Sequence, residues 1–404
     1  MSHQEPVSLP RPDQVRFRAP GVARPPVLMG AGVALLLLAW LLGRSEPAHW
    51  LASYLVAFLF ALTIALGGLF FTLMLYTSRA AWGVVARRLA EAAGATLPLF
   101  LILFLPVALG AAHLYPWIGE AHGAGHHAEL LAHKAPYLNL PFFHLRAALC
   151  LLAWAAMGWW FWRRSLSQDA APDPRVAARL RAWSHAALVL FAVTVTVASF
   201  DWVMSLTPTW YSTMFGVYFF AGIAVASLAL LVVLTIALER RGALGGTLTA
   251  EHLHDLGKLL FSFVVFWAYI AFSQFLLIWY ANLPEETGWY ALRLAGGWRT
   301  ATVALAVGHF VVPFFYLLSR DIKRRRLTLL IASVWMLLLH LLDLAWLVLP
   351  ALPTPAGGWV LPVALCTVGI GILVAGLFVA LLERAATVPT GDPRLAESLV
   401  IESG

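Results

Sequence analysis

TMFGVYFFAGIAVASLALLVVLTIAL, residues 213–238, runs for 26 residues without a charged side chain. A bilayer core of about 30 Å is crossed by about 20 helical residues at 1.5 Å each, so this run is long enough to span it. Its apolar residues do not alternate with polar ones, which excludes the strands of a membrane barrel. Inside lipid every backbone polar group must find a partner within the protein, and a helix does this within one segment. Nine comparable runs flank it, at Val27–Leu42, Leu51–Tyr76, Thr96–His113, Phe142–Trp162, Trp183–Leu206, Leu256–Ala281, Thr300–Ser319, Leu327–Leu349 and Leu361–Leu382. Together they predict an all-α polytopic membrane protein with about ten transmembrane helices. The first run has polar residues ahead of it and no small-x-small site after it, so it does not read as a cleaved leader.

Composition agrees. Of 404 residues, 61% are apolar and only 12% charged, with mean hydropathy +0.81. A soluble domain carries about a quarter charged residues. The chain divides into an N-terminal tail (1–26), a ten-helix membrane domain (27–383) with a His-containing loop at 114–141, and a C-terminal tail (384–404). Both tails are too polar to fold alone and suit docking onto other subunits. With both tails cytoplasmic, all Lys and Arg except Arg44, Lys134, Arg146, Arg293 and Arg299 fall on the inner side. The net charge of +7 is therefore a topology signal. No basic stripe has the extent that nucleic-acid binding requires.

Cys150 and Cys366 both lie in predicted spans, and there is no C-x-x-C-H. That excludes covalent haem and an iron–sulfur cluster within this chain, so any redox metal belongs to a partner. Gly369-Ile370-Gly371 sits inside an apolar helix with no preceding strand and is no dinucleotide fingerprint. Small residues at Gly67-Gly68, Gly216, Gly222, Gly369, Gly371 and Gly376 allow helices to approach closely.

Ionisable groups within lipid are costly and normally face the protein interior. Three constellations stand out. His340 and Asp343 share a helix face near the middle of the ninth span, and His309 lies at similar depth in the eighth. Pro313 deprives the His309 carbonyl of its helical donor. This set reads either as a proton-relay or quinone-contact site, or as helix packing through a neutral His and a paired Asp. Asp255, Ser262, Tyr269, Ser273 and Tyr280 form a stripe on one face of the seventh helix, with Lys258 near its inner end and Gln274 adjacent. It is either a proton path or a polar seam between helices. His113, His144, Arg146, Asp201 and Arg299 gather towards the outer side, as a structural ion pair, a proton exit or the rim of a quinone pocket. His122, His126 and His127 lie in the outer loop, where exposure is the plainer reading and no metal site is assigned. His309 with His340 is the sole internal pair available to a haem b, a weak signal. Trp40, Trp50, Trp117, Trp159, Trp160, Trp162, Trp183, Trp210, Trp279, Trp289 and Trp359 fall near span ends, where Trp anchors to the interface.

The run Ser199-Phe200-Asp201-Trp202-Val203-Met204-Ser205-Leu206-Thr207-Pro208-Thr209-Trp210-Tyr211, continuing to Tyr218, carries a resemblance. So do Gly257-Lys258 through Ser273-Gln274 to Glu285-Glu286, and Tyr137-Leu138-Asn139 with Phe142, Phe143 and Arg146. Together they resemble the second NrfD-like membrane subunit (ActF type) of bacterial alternative complex III, a quinol:electron-acceptor oxidoreductase. The resemblance covers Tyr137 to the end of the seventh span in detail. It implies two four-helix bundles flanked by a first and a last helix, in the bacterial inner membrane. It also implies a sister NrfD-like subunit, an iron–sulfur protein and cytochrome c subunits as partners, with iron–sulfur clusters and haem c held there. This subunit would contact quinone and lipid and take part in proton translocation, without being catalytic alone. Asp201, Arg146, Tyr211 and Gln274 are the quinone-contact candidates within the matched motifs. The relay expected from the residues runs from Asp255 and Lys258 through Ser262, Tyr269 and Ser273 to His309, His340 and Asp343, leaving at Asp201, His144 and Arg146. A purely structural anchor and a secondary transporter are the competing readings.

Overall fold

Proline opens four of the spanning helices, at Pro25, Pro47, Pro141 and Pro174, within the first turn, where its missing N–H costs nothing. Side-chain caps begin three helices. Asn139 Oδ1 accepts from the Phe142 N–H at 3.0 Å, Asp173 Oδ1 from the Arg175 N–H at 2.8 Å, and Thr249 caps the seventh span reciprocally with His252. These signals set the starts of the helices in a computed structural model that describes residues 10–11, 14–21, 24–118, 126–352 and 358–400.

Among the described residues there are ten helical segments long and apolar enough to cross a membrane. They are Pro25–Gly43, Pro47–Ser78, Val84–Leu109, Leu140–Ala170, Pro174–Leu206, Phe215–Arg240, Ala250–Ala281, Gly296–Leu318, Arg326–Ala351 and Val360–Leu382. The chain is an all-α polytopic membrane protein. Spans two to five close into one four-helix group and spans six to nine into another. The second and sixth spans are the most enclosed and pack against each other, joining the groups. The first span lies against the tenth, which lies against the second.

Two glycine contacts set these approaches. A Cβ on Gly67 would lie 2.8 Å from the Ile223 carbonyl oxygen, so the second and sixth helices touch backbone to backbone there. A Cβ on Gly32 would lie 2.8 Å from the Gly369 carbonyl oxygen, which seats the first span on the tenth. Gly371, expected to serve the same purpose, has open space around its Cβ position.

The third span departs from the expected Thr96–His113. It starts at Val84 and carries Arg87, Arg88 and Glu91 inside the bundle, all buried. Charge is tolerated there because it is paired. Arg87 Nε lies 3.0 Å from Glu91 Oε1, Arg87 also meets Asp392, and Arg88 Nη2 lies 2.7 Å from Asp169 Oδ2.

Asp392 belongs to the C-terminal tail, which folds onto its own chain. Arg16 and Ala386 form an isolated antiparallel bridge, the Thr387 N–H donates to the Val15 carbonyl at 2.8 Å, and Val15, Phe17 and Val388 are buried. The two tails therefore cover the end of the bundle that also carries Arg79, Arg163, Arg240 and Arg320, called the basic face below. The remainder of the N-terminal tail up to residue 9 lies outside the described residues.

Candidate functional site

The central cluster is assembled from five spans. His340 and Asp343, three apart on the ninth helix, are both 1% exposed, and His309 of the eighth is fully buried. Thr63 of the second span lies with its hydroxyl 2.9 Å from His340 Nε2. Tyr218 of the sixth donates its hydroxyl to Asp343 Oδ1, and Trp267 of the seventh donates Nε1–H to Asp343 Oδ2 at 3.3 Å. The Trp267 ring covers the His309 imidazole at 3.9 Å between centroids. Gly222 leaves the gap: a Cβ there would stand 3.0 Å from His340 Cε1 and 4.0 Å from Asp343 Oδ2. The three ionisable groups named from sequence thus converge on one enclosed site. Thr63, Tyr218 and Trp267 complete it and were not named as members, because an aromatic or a Thr in an apolar run looks like ordinary packing.

Both ring nitrogens of His309, and Nδ1 of His340, have no hydrogen-bond partner among the described residues. Buried polar atoms are nearly always paired, so these three stand out as unsatisfied.

The backbone around His309 is a π-helix, Leu305–Val311, rather than an α-helix. In that register the bond runs from residue i to i−5, so Pro313 withholds its donor from Gly308 instead of His309. The expected free carbonyl is shifted by one residue, and it is occupied: Trp335 Nε1 donates to the Gly308 oxygen at 2.8 Å. Trp335→Phe is expected to lower stability by about 1–3 kcal/mol, the cost of a buried carbonyl left unpaired. Thermal unfolding of the purified chain in detergent checks it.

Beside the cluster lies a cavity of about 590 Å³, between the seventh and eighth spans and against the sixth and ninth. Tyr218 and Trp267 form part of its inner wall, with Phe275, Tyr290, Phe310 and Trp346 around it. Tyr269 and Phe272 line it while being 64% and 61% exposed, so the cavity opens on the lipid-facing flank of the bundle. From its wall a polar path leads away from the basic face. Tyr290 Oη accepts from Gln274 Nε2 at 3.1 Å, and Ser212 Oγ donates to Gln274 Oε1 at 2.8 Å. Burial pushes the Tyr290 phenol up to about 12, so it works as a neutral hydroxyl. Arg293, 1% exposed, closes this end. It donates to the carbonyls of Trp289, Trp346 and Leu347 at 2.8–3.0 Å and lies over the Trp289 ring at 3.4 Å.

Arg146 and Asp201 form a separate site. Nε to Oδ2 is 2.6 Å and Nη2 to Oδ1 is 3.1 Å, a bidentate pair with Asp201 1% exposed. The remaining guanidinium nitrogen donates to the Tyr137 carbonyl at 2.9 Å, and Tyr137 and Phe142 flank its plane. Each is held by the other, and neither lines the cavity. His144 sits nearby with Nε2 3.1 Å from the Ala108 carbonyl. His113 and Arg299, placed in the same group from sequence, are exposed and take no part. Tyr211, another quinone-contact candidate, is 59% exposed beside Lys134.

The stripe on the seventh helix does not run through the interior. Ser262, Tyr269 and Tyr280 are exposed, and Ser262 returns its hydroxyl to the Lys258 carbonyl at 2.8 Å. Asp255 is enclosed, but it pairs with Lys258 at 2.7 Å. The inward face of that helix between Asp255 and Trp267 carries Leu256, Gly257, Leu260 and Val264, with no hydroxyl among them. The expected inward leg through Ser262, Tyr269 and Ser273 is therefore absent from the core. The reason is that lipid and core are equally apolar, so apolar residues give no inward signal, while a hydroxyl such as that of Ser262 is satisfied by a carbonyl of its own helix and can face outward.

Four Trp expected at the interface, Trp117, Trp162, Trp210 and Trp289, are buried instead. Trp210 and Trp289 stack at 4.4 Å. No group of three or more His, Cys, Asp or Glu among the described residues is placed to hold a metal ion. His122 lies outside the described residues, as do the side chains of His126 and His127. Compared with known proteins, the chain matches no family model and no curated protein.

Proposed function

We propose that this chain is the quinone-contacting, proton-handling membrane subunit of a respiratory quinol oxidoreductase of the alternative complex III kind, lying in the bacterial inner membrane with its basic face cytoplasmic. The observation that carries the reading is a lipid-open, aromatic-lined cavity whose inner wall is formed by the Tyr218 and Trp267 that hold buried Asp343. A quinone ring is flat, apolar and edged by two oxygens, and it reaches its site through lipid. The cavity offers ring faces for packing and the Tyr218 hydroxyl as a polar partner. This moves the quinone contact away from Asp201, Arg146 and Tyr211 and leaves Gln274 involved only through Tyr290.

Oxidation of a quinol releases two electrons and two protons. The electrons pass to iron–sulfur and haem c centres in partner subunits. Within this chain Asp343 takes a proton, with Tyr218 as the hydroxyl that links it to the cavity. Tyr290, Gln274 and Ser212 lead protons to the face opposite the tails. Between Asp255 and Trp267 the inward face of the seventh helix is apolar and offers no relay towards the basic face.

Purification from the native membrane tests the reading. The chain is expected to bring haem c and iron–sulfur proteins and to retain quinone. Ala268→Trp, which fills the cavity from the seventh helix, is expected to remove the retained quinone and cut quinol-dependent electron transfer at least about tenfold, with the complex still assembled. Full quinone content and turnover with Ala268→Trp would overturn the assignment of this cavity. Loss of the complex upon deleting the chain, with no effect of Ala268→Trp or Asp343→Asn, would indicate an anchor.

A further inference from the structure

A second large cavity, about 600 Å³, lies on the other side of the molecule between the fourth and fifth spans, and the proposed quinol chemistry does not use it. It is a groove that starts at the basic face and runs into the membrane. On the fifth helix its lining extends from Val176 to Leu190, 14 residues or about 21 Å of rise. Half of a bilayer core is about 15 Å. The groove therefore reaches from headgroup level to about mid-membrane, the depth of one leaflet.

Its chemistry is graded along that length. Deep in the membrane the lining is apolar, with Ala156 and Leu190. At interface level stand Trp160 and Trp183, their rings 6.4 Å apart edge to face. At the mouth are Arg164 and Arg179, the only charged residues of the lining, both exposed. Neither has an ion pair among the described residues. The nearby carboxylates are engaged elsewhere: Asp169 with Arg88, and Asp173 in capping the Arg175 N–H. An apolar slot of one-leaflet depth, belted by two Trp and topped by two unpaired Arg, is complementary to one kind of molecule.

We infer that the groove between the fourth and fifth spans is a binding site for an anionic phospholipid of the leaflet at the basic face, with an acyl chain in the slot and the phosphate between Arg164 and Arg179. Basic pockets between helices at this level select anionic headgroups, and each Arg near the surface adds attraction that weakens with salt. Trp at the glycerol level fixes the depth.

Native mass spectrometry of the full chain in mild detergent tests the site, with phosphatidylglycerol and phosphatidylcholine of the same acyl chains as probes. Phosphatidylglycerol is expected to bind at least about tenfold more tightly. The double variant Arg164→Gln/Arg179→Gln is expected to weaken phosphatidylglycerol about 30-fold and erase the preference, the contribution of two surface arginines. Arg299→Gln, at the opposite face, should leave binding unchanged. Ala186→Trp, which fills the slot without altering charge, should weaken both lipids. Equal affinity for the two lipids, or unchanged phosphatidylglycerol binding in both groove variants, overturns the site. So does a map of the assembled complex in which a partner's helix fills the groove.

Discussion

Asp343→Asn is expected to slow quinol-dependent turnover and its coupled proton release by about 10²–10⁴-fold, the range lost when a positioned proton acceptor is removed. The substitution keeps the shape of the side chain. An amide oxygen still accepts from either Tyr218 or Trp267, the two donors that now hold the carboxylate. What disappears is the ability to take and return a proton. The measurement is quinol oxidation and external acidification by the intact complex in vesicles, with subunit content checked on the same sample. His340→Ala is expected to give a smaller loss, because His340 meets Thr63 and adjoins Asp343 across Gly222 without a direct bond to it. Asp343→Asn complexes that assemble fully and translocate protons at the normal rate would sink the role assigned to the cluster. Complexes that fail to assemble would point to helix packing as its purpose.

The second large effect concerns stability. Arg146→Ala is expected to destabilise the chain by about 3–5 kcal/mol, since it strands the Asp201 carboxylate, 1% exposed, without its bidentate partner. The fourth and fifth spans would lose their main polar tie near the face opposite the tails. Arg146→Met combined with Asp201→Leu is expected to recover most of that loss, because removing both charges leaves nothing to desolvate. Thermal unfolding of the three proteins in one detergent gives the comparison. A double variant as unstable as Arg146→Ala would show that the guanidinium acts through the Tyr137 carbonyl and its aromatic neighbours instead. Quinone retention is expected to survive in the double variant, as neither residue lines the cavity.

The tails lie in close contact with the basic face. Residues 14–21 and 383–400 are engaged with their own bundle through Val15, Thr387 and Asp392. That face is therefore closed in part by the chain itself. On the flank of the seventh helix, by contrast, Tyr269, Phe272, Leu277, Trp279 and Tyr280 are all exposed.

What the amino-acid sequence determined alone is what free energy in lipid dictates segment by segment. A run such as 213–238 has no alternative to a spanning helix, because each backbone group must be bonded within its own segment. The same cost of burying charge singled out His309, His340 and Asp343 before any coordinates, and the fold encloses all three. It also singled out Arg146 and Asp201, which meet as a pair. Only the tertiary structure decided which way each helix faces. In water an apolar stripe turns inward, but lipid removes that preference, so the polar stripe at Ser262, Tyr269 and Tyr280 stands on the outer flank while Trp267 and Gln274 turn in. Pairing likewise needs three dimensions. Thr63, Tyr218 and Trp267 come from three separate spans, and their polar atoms acquire a role only where packing sets them against His340 and Asp343. The cavity is decided at the same level, since it is a gap between helices and no residue in its wall is distinctive until its neighbours are in place.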